Sequence, residues 1–552
     1  MLLKLYAAIG LLAAALILPP YALADLASLF FAREDAAGPA RIALYQDRSG
    51  AYLFLPSGVR TEEWRVFFDG TEEIRLSGVR LRSGDAMPHL RAGESVRLEA
   101  GAEARDVQVL QSDGVPSLFV STQSGGLGFI HEQKTNKEPG AYALLGLDGA
   151  ALASGPLEHI KARGNSSFQF NKKSYQIKLE EGEPLLGMDK AKRWILIGNA
   201  RDRTLLRNKV TLDLAMYAGL RYTPESESVD LYLNGEYRGT YLMCEKVEIN
   251  EGRVEIDDLE EATEDFLGRK GEAFQSAGSR ESKPGQYKYY DLPAEPADIT
   301  GGYLVEYEAY PVRYKDEACA YTSQAGAVLV VKSPEFASKA QMAYICGLMQ
   351  RFEDAIRAPD GIDPASGLHY AQVADVDSLV RKYLIEEISK NYDGNQSSQF
   401  FYKPSDAQSP LLYAGPAWDY DSAYAGYARE KGMDVLAPDG LLIGTRQGKK
   451  YWWPALYAHA DFQAEVAQVY RDVFWPLLQK LTSQSDAGEM RTLFEYAKEI
   501  ESSARMNFVR WPIPKNPTTA APLGQTHAEN VEMLASFIQA RAAYLAREWS
   551  IL

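Results

Sequence analysis

The sequence is poor in cysteine and histidine. Its 552 residues contain three cysteines and six histidines. Cys244, Cys319 and Cys346 are far apart and lack the short spacings of metal ligands. They indicate neither a disulfide framework nor a zinc site, and each is expected to be a small buried residue. The scattered histidines argue against a histidine metal centre and against a Ser-His-Asp hydrolase.

The sequence also lacks a Walker A motif and an excess of positive charge. Without a Gly-rich loop that ends in Lys-Ser or Lys-Thr, a P-loop NTPase is not expected. The net charge of −16 at pH 7 argues against a protein that binds nucleic acid phosphates. It agrees with an exported protein, or with one that attracts basic partners.

One apolar run has the features of an export signal. It covers the 14 residues Leu5–Leu18, follows Lys4, and precedes the small-residue pattern Ala22-Leu23-Ala24. Residues 1–24 are therefore predicted to be a signal peptide that is cleaved after Ala24. Because the run is short for a membrane span, an uncleaved anchor is the alternative. No other segment predicts a membrane span, so we expect a secreted or envelope-associated protein.

The length predicts more than one domain, because a single hydrophobic core seldom serves 552 residues. Residues 25–115 are predicted to be a small all-β, sandwich-like domain, since short alternating segments recur between turns. Examples are Ile74-Arg75-Leu76, Val96-Arg97-Leu98 and Val107-Gln108-Val109. Residues 116–552 mix strand and helix patterns and predict an α+β domain. Within it, residues 258–300 are polar and are predicted to be a surface insertion.

The most informative stretch runs from Glu386 to Gly426. A helix is predicted to lead into it, with apolar residues at three- and four-residue spacing: Leu379, Val380, Tyr383, Leu384 and Ile388. The turn-forming residues 391–395 end this helix. Two predicted strands, 400–402 and 411–414, then lead to a second acidic loop that begins at Gly415. Protein kinases use this order of elements to bring a catalytic aspartate and a metal-binding aspartate to one phosphate.

The carboxylates of the two loops suit two tasks. Mg²⁺ prefers hard oxygen ligands, which Asp419 and Asp421 offer. A hydroxyl acceptor needs a carboxylate within reach of its proton, and Asp393 can provide it. The alternative for Asn391 and Asp393 is that they only end a helix and turn the chain.

A second informative stretch is Arg163–Leu179, where positive charge concentrates in an acidic protein. In the predicted strand 175–179, alternation puts Lys178 on the face opposite Tyr175. Kinases use a lysine on a stiff strand to hold an ammonium against nucleotide phosphates. The alternative is that Lys178 faces solvent. Arg163 is a second candidate, because a guanidinium can grip phosphate bidentately.

A β-hairpin is predicted between these stretches, with Asn234-Gly235 as its turn. Glu245 and Glu248 lie at the end of its return strand. Either glutamate can pair with Lys178, as a kinase glutamate does, and a surface ion pair is the alternative. Farther along, Ser333-Pro334 is predicted to begin a helix. The chain is predicted to be mostly helical after residue 426.

Several motifs resemble the CotH family, the spore-coat-protein-H-like atypical kinases. They occur in the family's order over roughly residues 117–550. The motifs are Arg163-Gly164-Asn165-Ser166-Ser167, Tyr175-x-Ile177-Lys178-Leu179, Leu186-Gly187-Met188, Leu233-Asn234-Gly235-Glu236-Tyr237-x-Gly239, Glu245-Lys246, Asn391-x-Asp393, Ser398, Phe401-Tyr402-Lys403 and Gly415-Pro416-x-Trp418-Asp419-Tyr420-Asp421.

The resemblance implies a two-lobed, atypical kinase-like domain and an exported protein kinase. Such a kinase would transfer the γ-phosphate of ATP, with Mg²⁺ or Mn²⁺, to Ser or Thr of another exported protein. It implies that Asp393 acts on the acceptor hydroxyl and that Asp419 and Asp421 hold the metal. Lys178 and Arg163 would hold phosphates. Glu245 is preferred over Glu248 as the lysine's partner, because it lies in the family-like Glu-Lys-Val segment.

One position departs from the family pattern. An asparagine that helps to bind metal lies five residues after the aspartate in family members with the kinase-like loop, and here that position is Ser398. A serine hydroxyl is a neutral and weaker ligand, with Asn395 and Gln399 as alternatives. The rival function is therefore a non-catalytic structural or surface-binding protein of the cell or spore envelope that keeps the fold.

Overall fold

The structure is a computed structural model that describes most of the chain. The described residues are 29–33, 39–69, 73–100, 103–308, 310–429, 431–485, 488–513 and 520–551. The predicted signal peptide, residues 1–24, lies outside them. Within these ranges, no helix has both the length and the apolar character needed to cross a membrane.

The chain divides into two compact units. The first holds the described residues up to Leu127, together with Pro139–Pro156 and Asp230–Gly239. The second holds Gly128–Glu138, Leu157–Val229 and the described residues from Thr240 onward.

The first unit begins with ten β-strands in the described residues. They are β1 (Phe30–Arg33), β2 (Arg41–Ala43), β3 (Tyr45–Gln46), β4 (Ala51–Leu55), β5 (Trp64–Phe67), β6 (Ile74–Leu76), β7 (Val79–Leu81), β8 (Ser95–Ala100), β9 (Glu103–Gln111) and β10 (Ser117–Thr122). They form a three-stranded sheet in the order β2-β1-β5 and a six-stranded sheet in the order β3-β4-β9-β8-β6-β7. Buried and exposed residues alternate along β6 and β8. The predicted all-β character of the N-terminal region is confirmed.

Six further strands follow. They are β11 (Glu138–Leu145), β12 (Ala151–Arg163), β13 (Ser174–Glu183), β14 (Ala191–Ile197), β15 (Ser226–Leu233) and β16 (Glu236–Glu245). Within the first unit, β10 pairs with β11 and with the end of β15. Within the second unit, β12, β13, β14 and β16 pair antiparallel in that order. Asn234 and Gly235 both have positive φ, at 53° and 87°, which confirms the predicted hairpin turn.

The rest of the second unit combines helices with a second sheet. Its helices are α1 (Gly128–Glu132), α2 (Arg207–Tyr217), α3 (Leu259–Leu267), α4 (Val312–Asp316), α5 (Lys339–Arg357), α6 (Tyr370–Val373), α7 (Val376–Ser389), α8 (Trp452–Tyr457), α9 (Ala460–Val469), α10 (Trp475–Leu481), α11 (Leu493–Glu499), α12 (Glu501–Arg510) and α13 (His527–Glu548). Its other strands are β17 (Ser276–Gly278), β18 (Lys288–Tyr290), β19 (Tyr303–Glu308), β20 (Ala320–Thr322), β21 (Val328–Ser333), β22 (Gln399–Lys403) and β23 (Tyr413–Ala414). The five-stranded sheet has the order β20-β21-β19-β22-β23. The protein is therefore α+β, as predicted.

Helix α7 confirms the helix predicted before residue 391. The Asp375 carboxylate caps its N-terminus by accepting the N–H of Ser378 at 2.8 Å. Its predicted apolar residues are all buried. The helix ends because Lys390 takes a left-handed conformation, with φ 47°.

The predicted start of helix α5 is wrong. Ser333 ends strand β21, and α5 begins after Ser338. The Ser338 hydroxyl accepts the N–H of Gln341 at 3.1 Å, and the Gln341 side chain accepts the N–H of Ser338 at 2.9 Å. This reciprocal capping box satisfies two N–H groups that the helix cannot satisfy itself. Ser333 has Phe336 three residues later and has no such partner.

The substitution Ser338→Ala is expected to destabilise the protein by about 1 kcal/mol, because it removes the cap of α5. Chemical denaturation monitored by circular dichroism measures the change. Ser333→Ala is the control and should have a smaller effect, since Ser333 caps no helix. Equal losses in the two variants would contradict this account of where the helix begins.

Candidate active site

Two acidic loops lie where β22 begins and β23 ends, in the five-stranded sheet. The first acidic loop, residues 390–398, connects α7 to β22, and the second acidic loop, residues 415–426, follows β23. Because β22 and β23 are antiparallel neighbours, the start of one lies beside the end of the other. Asp393 of the first loop is thereby brought to the same edge as Asp419 and Asp421 of the second.

A buried glutamate near the end of α7 fastens both loops. Glu386 accepts hydrogen bonds from the Tyr420 hydroxyl at 2.7 Å and from Asn391 Nδ2 at 3.2 Å. Lys382, one turn earlier in the helix, pairs with the same carboxylate at 2.6 Å. Asn391 Nδ2 also donates to the backbone oxygen of Asp419 at 3.3 Å. Hydrogen bonds to a charged group are among the stronger ones, so these contacts hold the two loops together.

The side chain of Asn391 closes the turn after α7. Its Oδ1 accepts the N–H of Asp393 at 3.3 Å. The Asp393 carboxylate has no hydrogen bond or ion pair with any other described residue. The helix-ending alternative therefore accounts for Asn391 and leaves the carboxylate of Asp393 without a structural role.

Ser398 and Asp419 both have left-handed backbone conformations, with φ of 59° and 68°. Residues other than glycine seldom take this conformation unless their surroundings enforce it. The Ser398 hydroxyl donates to Oδ2 of Asp419 at 3.3 Å. This contact joins the two loops where the backbone of each is strained.

Both loops line a cavity of about 940 Å³, which is within the usual range for a small-molecule site. Five of the seven sequence-predicted site residues line it. They are Arg163, Ser398, Asp393, Asp419 and Asp421. The cavity therefore brings together the predicted acceptor aspartate, the predicted metal ligands and one predicted phosphate ligand.

Burial is the main cause of raised pKa values in the three aspartates, and their mutual repulsion adds to it. The pKa of Asp393 rises to about 6, with a contribution from the charge of Asp421. The pKa of Asp419 rises to about 6 and that of Asp421 to about 7, each with a contribution from a neighbouring aspartate. Among the charges that oppose these rises are Arg163 at Asp419 and Arg201 at Asp393 and Asp421.

Two cations on β12 line the same cavity. Lys161 and Arg163 are two residues apart and thus lie on one face of the strand. Burial lowers the pKa of both, and the charge of Lys246 lowers the pKa of Lys161 further. The guanidinium of Arg163 lies 5.6 Å from the centre of the Trp418 ring. Neither cation is paired with a carboxylate of the described chain, so both are available to an anion.

Lys178 lies on β13 and does not belong to the cavity lining of the described chain. Its ammonium pairs with Glu158 at 2.5 Å. Its side chain is 22% exposed. The pairing with Glu245 or Glu248 that the sequence allowed is therefore wrong. Its role in phosphate binding stays a prediction.

Glu245 and Glu248 each meet a nearer cation. Glu245 forms a buried pair with Arg253. Burial raises the pKa of Glu245 to about 7, and the charge of Arg253 opposes the rise. Glu248 pairs with Arg193 at 2.7 Å and with Lys246 at 2.8 Å. Arg193 lies on β14, the neighbour of β16, which explains why it reaches Glu248. A role for Glu245 in cofactor binding stays a prediction.

Of Ser398 and its two alternatives, Asn395 and Gln399, Ser398 is the residue that lines the cavity. Asn395 Nδ2 donates to the backbone oxygen of Ile443 at 3.0 Å. Gln399 alternates along β22 with Phe400, which lines the cavity, so its side chain points to the other face. In the described chain neither amide belongs to the cavity lining, and Ser398 stays the predicted ligand.

Sequence reasoning missed two unpaired cations of the cavity, Lys161 and Arg201. A signal for Lys161 was present, because it precedes Arg163 by two residues in a strand. Arg201 had no local signal. Its guanidinium is held 4.4 Å from the ring centre of Phe170 and 4.7 Å from that of Tyr427, and these residues are distant in the sequence.

The chemistry of the acidic side chains fits a divalent cation. Carboxylate oxygens suit Mg²⁺ and Mn²⁺, and a bound cation would offset the mutual repulsion that, after burial, contributes to the three raised pKa values. In the described ranges, no group of three or more His, Cys, Asp and Glu residues is arranged to hold a metal by itself. Mg²⁺ at nucleotide sites takes one or two carboxylates, with phosphates and water as its other ligands. Asp419 and Asp421 can provide these one or two carboxylate ligands.

Carboxylates and unpaired cations line one cavity of this α+β protein, and such a combination is typical of sites for phosphorylated ligands. Comparison with models of protein families matches residues 160–545 to the family described as CotH kinase protein. The match covers most of the chain, and the chain belongs to this family. The resemblance read from the motifs is confirmed. Comparison with curated proteins found no match.

Divalent cations are expected to stabilise the protein more at pH 8 than at pH 5. Above the ordinary aspartate value of 3.8, the folded protein keeps protons that the unfolded chain has released. The stability that these groups contribute is full at low pH, and it is lost as the pH rises through about 6 for Asp393 and Asp419 and about 7 for Asp421. A cation favours the charged forms, so millimolar Mg²⁺ should raise the melting temperature mainly at high pH.

Calorimetric melting at both pH values, with and without Mg²⁺, measures this effect. Asp421→Asn should remove most of the shift at pH 8. The control is Asp472→Asn, which changes an exposed carboxylate outside the cavity lining. Equal shifts at the two pH values, or a full shift in Asp421→Asn, would contradict a metal site at these aspartates.

Proposed function

We propose that the protein is an exported, atypical Ser/Thr protein kinase of the CotH type. The observation that supports this most is the convergence of three aspartates and unpaired cations in one cavity. When bound, ATP supplies the phosphoryl group and Mg²⁺ or Mn²⁺ neutralises phosphate charge. A two-lobed domain over residues 116–552 is part of the proposal, because the cavity is lined by β12–β14 and, separately, by β19, β22 and both acidic loops.

Asp393 is proposed to orient and deprotonate the acceptor hydroxyl. Its carboxylate is half-buried and has no partner in the described chain, so it is available to a proton donor. Its pKa of about 6 is close to neutral pH, where a general base works best.

Asp419 and Asp421 are proposed to bind the metal, and Lys161 and Arg163 to bind phosphate oxygens. The two cations face the cavity from one strand, and Arg163 offers a guanidinium fork that matches phosphate. Lys178 stays the alternative lysine. The apolar side of the cavity suits a flat nucleobase and consists of Ile195, Ile197, Val247, Phe400 and Trp418.

The proposed acceptor is a Ser or Thr of another exported protein. Membership in a spore coat family supports an envelope location. The net charge of −16 favours a basic partner.

The rival proposal is a non-catalytic envelope protein that keeps the fold. The observation that favours it is Ser398, whose hydroxyl already donates to Asp419 and which offers a neutral ligand where the family has an asparagine. A purified protein that is stabilised by ATP and Mg²⁺ but transfers no phosphate would support this rival.

The double variant Asp419→Ala/Asp421→Ala should lose metal-dependent ATP binding and keep its fold. Removing two carboxylates that repel each other should cost little stability, since each accepts only one side-chain hydrogen bond, from the hydroxyl of Ser398 or Ser422. Calorimetric titration with ATP and Mg²⁺ measures the affinity, and circular dichroism checks the fold. Asp472→Ala is the matched control. Unchanged ATP affinity in the folded double variant would refute the metal assignment.

Asp393→Asn keeps the shape of the side chain and removes its basicity. Turnover should fall by a factor on the order of 10² or more, as expected when a general base is lost. ATP affinity should change by less than about tenfold, or roughly 1.4 kcal/mol, because the group acts on the acceptor. Radiolabelled phosphate transfer and titration measure the two quantities. Loss of ATP binding would instead make Asp393 a metal ligand, and unaltered transfer would leave it without a catalytic role.

A further inference from the structure

Arg201 lies over two aromatic rings in the cavity. Its guanidinium carbon lies 4.4 Å from the ring centre of Phe170 and 4.7 Å from that of Tyr427. All three residues line the cavity. Aromatic faces attract a guanidinium through its flat surface, which leaves the N–H groups at its edge unused. Arg201 makes no hydrogen bond or ion pair with any other described residue.

Most other cations of the cavity already have partners. The pairs are Lys134 with Asn165, Lys246 with Glu248, Lys332 with Glu306 and Glu317, and Arg313 with Glu308 and Glu317. A half-buried charge that is held in place without a partner is costly unless a ligand uses it. Besides Arg201, the cavity cations in this state are Lys161 and Arg163.

The two unpaired arginines act on different aspartates. Arg163 lowers the pKa of Asp419, whereas Arg201 lowers those of Asp393 and Asp421. Asp393 is the proposed acceptor base, and Arg201 lines the same cavity and interacts electrostatically with it.

Another arginine, Arg446, also acts electrostatically on Asp393. Its Nη1 donates to the backbone oxygen of Tyr392 at 3.4 Å, and its guanidinium lies 4.9 Å from the Tyr451 ring centre. It does not belong to the cavity lining of the described chain. It therefore supports the loop and does not compete with Arg201 for a ligand.

We propose that Arg201 is a catalytic residue that grips the phosphoryl group during its transfer. The role is that of an arginine finger supplied by the same chain. The proposal rests on the proposed kinase function and adds a residue to it.

In the reaction, the acceptor hydroxyl oxygen forms a bond to the γ-phosphorus of the nucleoside triphosphate. The bond from that phosphorus to the β–γ bridging oxygen breaks, and its electron pair stays on the nucleoside diphosphate. The acceptor proton passes to Asp393. During the transfer, negative charge is spread over the three outer oxygens of the phosphoryl group. Arg201 can donate two parallel N–H groups to these oxygens.

The rings of Phe170 and Tyr427, here called the aromatic clamp, explain why an arginine suits this position. These rings hold the guanidinium in place before any ligand binds. A donor that is already oriented need not reorganise at the moment of reaction, and such preorganised donors contribute strongly to catalysis. A lysine has a point charge without the planar fork.

The test compares Arg201→Lys and Arg201→Met with Arg203→Lys, a control in the same loop that lies outside the cavity lining. Turnover with ATP and Mg²⁺ should fall by a factor on the order of 10² or more in both Arg201 variants. KM for ATP should change by less than about tenfold. The control should retain its turnover.

A second readout does not depend on turnover. ADP and Mg²⁺ with aluminium fluoride mimic the phosphoryl group in transit, and they should raise the melting temperature of the unchanged protein above the value with ADP and Mg²⁺ alone. The Arg201 variants should lose this additional shift and keep the shift from ADP and Mg²⁺. Should Arg201→Met unfold, Arg201→Lys still retains a stacked cation and allows the comparison.

The outcomes separate this proposal from the function on which it rests. Near-normal turnover in the Arg201 variants, or an intact aluminium fluoride shift, would overturn the proposal while the kinase function stands. Loss of ADP binding in these variants would make Arg201 a ligand of the resting nucleotide and also overturn it. An unchanged protein that transfers no phosphate and gains no aluminium fluoride shift would overturn the kinase function together with this proposal.

Discussion

Glu386 is buried where helix α7 ends, and its carboxylate accepts hydrogen bonds from the helix and from both acidic loops. Lys382 neutralises it from one turn below, and Asn391 and Tyr420 bind it from the two loops. A buried charge is tolerated only when its partners satisfy it, and removing one partner typically costs several kcal/mol. The two loops therefore keep their positions only while the contacts of Glu386 are intact. The contacts of Glu386, which is not itself a proposed reacting group, thus set the geometry of the two loops at the cavity.

The aspartates of the cavity have the opposite character. Asp393, Asp419 and Asp421 repel one another and lie in partly dehydrated surroundings, so their pKa values are raised to about 6 or 7. Contacts such as the Ser398 hydrogen bond and the nearby charges of Arg163 and Arg201 favour the ionised forms, but they do not offset burial and mutual repulsion. Such a group of like charges is useful when a cation or a proton is part of the function. The free energy that holds the aspartates together must come from contacts such as those of Glu386.

The parts of the site that sequence predicted are those fixed by local rules. The periodicity around Leu384 identified α7, and turn-forming residues identified the first acidic loop. Local rules failed where a more distant partner decided the outcome. The start of helix α5 was misplaced although its capping box at Ser338 is a local signal, whereas Lys178 was misassigned because it pairs with Glu158 of the neighbouring strand β12. Arg201 was invisible for the same reason, because its clamp joins Phe170 and Tyr427 from distant parts of the chain.

The residue after Glu386 extends this argument to the C-terminal helix. Glu387 pairs with the buried Arg541 of α13 at 2.6 Å and accepts the N–H groups of residues 442–444. Adjacent residues of a helix point about 100° apart, so one carboxylate serves the loops and the next serves the packing of α13. The same turn of α7 therefore carries both the geometry of the cavity and the attachment of the last helix. The family match extends to residue 545, so it includes Arg541 as well as the two acidic loops.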